Sequence, residues 1–140
     1  MYKLSAGIIG ILIAIMVAIN GVLSKGVGDY KSVLIIHIVG LISISLILIL
    51  KREKIKIKEN IPLYLFSGGA IGVFTVLFNN LAFNHIGASL TLSLGLFGQL
   101  IASVIIDHFG LFNREVIRFE KKKIVGFLLV FVGLVVMVVY

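Results

Sequence analysis

The side chains able to bind a solute or exchange a proton are few and widely spaced: Asn20, His37, Asn79, Asn80, Gln99, Ser103 and the pair Asp107–His108. His37 is the one titratable group deep in an apolar stretch. An imidazole changes charge near neutral pH, which suits a proton relay, whereas a neutral ring bonded to a carbonyl would be structural. Asn20 and Gln99 carry amides, which donate and accept hydrogen bonds and can orient a polar solute without a buried ion. The same amides can instead bond a neighbouring helix. Thr91, Gly95, Gln99, Ser103 and Asp107 recur every four residues. At 3.6 residues per turn they form a slowly winding polar track, drifting about 40° per step. Asn79 and Asn80 are adjacent, so about 100° apart on a helix, and are read first as interhelical hydrogen-bonding groups.

Other chemistry is missing. There is no cysteine, hence no disulfide framework and no thiolate metal site. No Asp or Glu falls at mid-depth of an apolar run, and no phosphate-binding loop, metal-ligand cluster or nucleophile–base constellation is present. The sequence predicts no enzyme, no catalytic residue, no metal and no cofactor. Asp107 and His108 border a cationic segment, where the carboxylate can pair with Arg114 or Arg118.

The elements that carry these residues follow from composition. Sixty per cent of the 140 residues are hydrophobic and 14% are charged, against about 45–50% and about 25% in soluble domains. That excludes a soluble enzyme, a nucleic-acid-binding domain and a disordered chain. A membrane span needs about 20 mostly apolar residues. Five runs qualify, at about residues 4–24, 32–50, 61–84, 88–109 and 124–140, making one all-α transmembrane domain over 1–140. The first run is longer than a signal-peptide core of about 7–15 residues and is followed by no A-x-A site, so it reads as a permanent span. Asn60 and Pro62 look like a cap and a first-turn proline opening the third. Between Gly110 and Lys123, Phe112, Val116 and Phe119 sit at helical spacing beside charged residues. That pattern suits either a short helix on the membrane surface or a solvated loop.

Five spans put the termini on opposite sides. The N-terminal side carries Lys3, Lys51, Arg52, Lys54, Lys56, Lys58, Arg114, Arg118, Lys121, Lys122 and Lys123, eleven in all. The other side carries Lys25 and Lys31. Cationic short loops stay in the cytoplasm, which predicts a multi-pass protein of the cytoplasmic (inner) membrane with its N-terminus inside. Tyr2, Tyr30, Tyr64 and Tyr140 lie near span ends, where amphipathic rings prefer the interface. Small residues let membrane helices approach closely. Gly7, Gly10, Gly21, Gly68, Gly72, Gly95, Gly98, Gly126 and Gly133 are the predicted packing positions, which suggests a compact bundle and at least a dimer.

Three stretches carry a family resemblance. The first span ends in AINGVLSKGVG, the third opens with a proline followed by SGGAIG, and the fourth contains GQLIASVIIDHFGLF. Together they resemble the YdcZ-type family of the drug/metabolite transporter superfamily, nearly end to end, with Asn20, Gly98, Gln99, Asp107, His108 and Gly110 at motif positions. The resemblance implies a five-helix half of a ten-helix, inverted-repeat transporter. The function expected is secondary transport of a small organic metabolite or drug-like solute by alternating access after dimerisation. Asn20, His37, Gln99 and Ser103 are the expected solute pathway, with Asp107 and His108 at its cytoplasmic rim. The expected partners are membrane lipid, the solute, and an antiparallel second subunit, either an oppositely oriented paralogue or a second copy. The charge bias disfavours the second copy. The competing expectation is a small assembly or accessory subunit that transports nothing.

Overall fold

A backbone in lipid must satisfy its own hydrogen bonds, and a helix does so within one segment. The computed structural model describes residues 2–52, 61–113, 115–118 and 120–139, and all regular structure among them is helical. Helix α1 spans Tyr2–Val27 and α2 spans Asp29–Leu50. A 3₁₀ turn at Leu63–Phe66 leads into α3, Ser67–Phe109, and a second at Leu111–Asn113 follows it. Helix α4 is Lys123–Val139. Three segments are long and apolar enough to cross a membrane: Leu4–Val27, Asp29–Leu50 and Leu63–Phe109; α4 is a shorter apolar helix.

The third of these has 47 residues, about twice the length of one span. Helix α3 is interrupted at Gly87, where φ is 76° and ψ is 176°. An L side chain rarely adopts that conformation, and no helix continues through it. The break divides α3 into arms of residues 67–86 and 88–109.

Several boundaries differ from the sequence expectation. Helix α2 starts at Asp29, three residues before the predicted span, because Gly28 alone makes the connection. Pro62 opens a 3₁₀ turn, not the first turn of α3, since Leu65 N–H bonds the Pro62 carbonyl at 3.0 Å. Asn60 lies outside the described residues. The connection after α3 takes the loop form. Gly110 and Phe112 have φ of 60° and 58°, and residues 115–118 are not helical. The Ile117 N–H instead bonds the Asp107 carbonyl at 2.9 Å, satisfying an acceptor that the end of α3 leaves open. Arg114 and Phe119 are outside the described residues.

The chain divides into two units, Met1–His85 and Ile86–Tyr140. Burial across the described residues is inverted relative to a soluble domain. The buried set holds four hydrophobic residues, Val17, Val33, Phe83 and Leu134, and five polar ones, Asn20, Ser24, Ser32, Asn80 and Thr91. Dozens of large apolar side chains are exposed instead, which lipid tolerates and water does not.

Candidate functional site

The first unit is joined by polar side chains at one end of its helices. Gly28, with φ 90° and ψ 154°, turns α1 into α2 in a single residue. Its N–H bonds the Ser24 carbonyl at 2.8 Å and its carbonyl receives the Ser32 N–H at 3.0 Å. Asp29 therefore falls in the first turn of α2, where the backbone dipole favours a carboxylate. The Ser24 hydroxyl donates to Asp29 Oδ1, and the Ser32 hydroxyl donates to the Asp29 carbonyl at 2.7 Å.

Helix α3 reaches this hairpin with two amides. Asn80 and Asn84 are four apart, so they share a face. Asn80 Nδ2 donates to Ser32 Oγ at 2.9 Å. Asn84 Nδ2 donates to Ser24 Oγ and to Asp29 Oδ1, both at 2.8 Å. Asn80, Ser24 and Ser32 are at most 2% exposed. Asn84 Oδ1 is buried and accepts no hydrogen bond from any described residue. One turn deeper on the same face of α1, Gly21 lies against the Phe83 ring, and the Lys25 ammonium sits 5.2 Å from that ring's centroid. Asn20 continues the buried face at 8% exposure.

This cluster holds three helices at the end where the sequence places Lys25 and Lys31. Ser24, Asp29, Ser32 and Asn84 were not expected as site residues. A signal existed: in the expected topology the first two spans meet at one membrane face and the third ends there, so polar residues at these three ends would share a level. Asn80 does what was first expected of it and bonds a neighbouring helix. Asn79 is half-buried.

The expected pathway residues divide between the units. His37 is half-buried on α2, and its Nδ1 lies 2.8 Å from the Val33 carbonyl. A carbonyl only accepts, so Nδ1 donates and a neutral ring leaves Nε2 free to accept. His37 also lines a groove of about 300 Å³ with Tyr30, Val33, Leu34, Val73 and Leu77. In the second unit, Gln99 and Ser103 are exposed, with the Ser103 hydroxyl donating to the Leu100 carbonyl at 2.9 Å. Thr91 is 3% exposed and donates to the Gly87 carbonyl at 2.7 Å. Asp107 is half-buried, and exposed His108 meets the Phe109 ring edge-on, 5.1 Å between centroids. Among the nine expected packing glycines, Gly21 is tightly covered. Apart from the adjoining residues and the local helix backbone, no atom of the described residues lies within 4 Å of a Cβ built at Gly7, Gly10, Gly68, Gly72, Gly95, Gly98, Gly126 or Gly133.

Among the described residues, no three His, Cys, Asp or Glu side chains gather to hold a metal. The arrangement can bind through neutral donors and acceptors and one carboxylate.

A family model described as "Putative inner membrane exporter, YdcZ" matches residues 1–136. Neither a curated protein nor a solved structure matches the chain.

Proposed function

The chain belongs to this YdcZ family, and we propose that it is one half of a secondary transporter for a small organic metabolite or drug-like solute. In this reading the polypeptide crosses the membrane five times, with residues 63–86 and 88–109 as separate spans on either side of Gly87 and α4 as the fifth. The N-terminus faces the cytoplasm, as the eleven-to-two cation bias requires. Two such halves in opposite orientation form a pathway near the midplane, the usual solution for transporters built from short repeats. An oppositely oriented relative, with its Lys and Arg on the opposite set of loops, is the natural partner, because this chain's own bias opposes inserting both ways.

The observation that carries this reading is Gln99. It lies near the middle of a 22-residue apolar arm, exposed, and its side-chain amide makes no hydrogen bond with any described residue. An amide at such depth is costly in lipid, so that face calls for an aqueous pathway or a second subunit. Ser103 extends the face by one turn, while α4 packs on the opposite side of the arm through Phe97. Asn20 and His37 supply the other expected pathway groups, and Asp107 and His108 the cytoplasmic rim.

The test is solute flux in proteoliposomes carrying the protein with and without an oppositely oriented relative, for the native chain and Gln99→Leu. Loss of flux with folding and assembly intact supports the pathway. Retained flux removes Gln99 from it. Lost assembly makes Gln99 a packing group, and absence of flux in every combination favours an accessory subunit.

A further inference from the structure

We propose that the second unit holds an anionic phospholipid, with an acyl chain in the groove between α3 and α4 and the phosphate at Lys121, Lys122 and Lys123. The proposal does not depend on transport. The groove measures about 310 Å³, and all its lining side chains are hydrocarbon, among them Phe97, Ile101, Ile105, Ile124, Leu128 and Phe131. It is open along one side: Leu128 is 57% exposed and Phe131 51%. From Ile124 to Phe131 it follows α4 for about 10 Å.

The groove ends where the charge begins. Lys121, Lys122 and Lys123 directly precede Ile124 and are exposed, as is Arg118. Lys123 opens α4, and the first turn of that helix contains no acidic residue. A helix N-terminus is the positive end of the backbone dipole, where cations are disfavoured and an anion is welcome. Glu115 and Glu120 are the carboxylates of the same connection, both exposed, and they leave the lysines in excess.

Charge selects the occupant. A second copy docked in parallel would bring its own lysines to the same level and repel. Docked antiparallel, it would carry them to the opposite membrane face and leave these unneutralised. An anionic phospholipid matches both halves of the surface at once, since its acyl chain and phosphate are joined at the depth where Lys123 meets Ile124. Anionic lipid attracts juxtamembrane lysines, by about fivefold in affinity per residue.

The chain contains no tryptophan, so a single introduced one reports without background. Phe131→Trp places it on the groove wall, and Leu128→Trp is a second reporter should the first fail to fold. Val39→Trp, on an exposed face of α2, is the control. Each full-length variant is reconstituted in phosphatidylcholine containing a small fraction of brominated phosphatidylglycerol or brominated phosphatidylcholine with identical acyl chains. Groove tryptophans should be quenched by the brominated phosphatidylglycerol well beyond its mole fraction, and the control by both lipids equally. The combined changes Lys121→Gln, Lys122→Gln and Lys123→Gln should abolish that preference, by about fivefold per lysine. Equal quenching by the two lipids, a preference that survives loss of the lysines, or a groove tryptophan shielded from both lipids would each overturn the proposal. The last result would mean that protein fills the groove.

Discussion

Replacing Gly21 with alanine tests how the first unit is packed. A Cβ at this position would stand 2.6 Å from Phe83 Cε1, and closer still to Cγ and Cδ1. Ordinary carbon contacts are about 3.5–4.0 Å, so the ring must retreat by more than about 1 Å. Phe83 is 9% exposed and sits against α1 with Lys25 above it, so its retreat disturbs the α1–α3 contact. Overpacking of this kind costs about 1–3 kcal/mol. The substitution also gains helix propensity, about 0.8–1.0 kcal/mol for alanine over glycine. The net expectation for Gly21→Ala is a loss of up to about 2 kcal/mol, measured by reversible unfolding in mixed detergent micelles. A double-mutant cycle isolates the cause. With Phe83→Ala in the background the clash disappears, and Gly21→Ala should become neutral or stabilising. The coupling between the two positions should be about 1–3 kcal/mol. If Gly21→Ala stabilises the native chain, or if its effect is the same with and without Phe83, the close approach is not what holds these helices together.

Other expectations follow from the polar cluster and the topology. Asn84→Leu removes two hydrogen bonds, one of them to the Asp29 carboxylate, and should destabilise the chain by about 1–3 kcal/mol in the same unfolding assay. Asn80→Leu removes one bond, to Ser32, and should cost about 0.6–2 kcal/mol. Gly28→Ala forces a side chain into a conformation reserved for glycine and should lose about 1–3 kcal/mol. Single cysteines at Lys56 and Lys31 should be labelled from opposite sides of the membrane by an impermeant reagent, and equal labelling from outside would mean mixed orientation. Cysteines replacing Tyr2 and Tyr140 should cross-link between subunits of an antiparallel dimer. A monomer stable in native lipid would exclude that dimer.

The predicted and observed faces of α1 coincide at one residue. Spacing of small residues selects Gly7, Gly10 and Gly21, whereas the buried face runs Val17, Asn20, Gly21, Ser24. Small size says where an approach is permitted; it does not say where a partner arrives. At Gly21 both conditions are met, because Phe83 comes to it. Ser24, Ser32 and Asn84 were legible only as the ends of runs. A serine at a helix end has water, backbone and lipid headgroups as alternative partners, so its type alone does not mark it as interhelical. The connection after α3 has a similar ambiguity. Its apolar spacing fits a surface helix, but the open carbonyl of Asp107 draws the Ile117 N–H away from helical bonding.

Hydropathy is a sum over neighbouring residues, and a span is decided by that sum and by length. The all-α character and the long apolar helices were therefore readable from the residues alone. Even the break between 84 and 88 left a trace, since a single helix of α3's length is about twice what a bilayer accommodates. Rotation of each helix about its axis was not readable. Helices rich in Leu, Ile and Val on nearly every side have no strong preference for which side faces protein and which faces lipid, because both surroundings are apolar. Only when three helices are placed together do Ser24, Asp29, Ser32, Asn80 and Asn84 meet. Their hydrogen bonds then set the rotation that composition left undetermined.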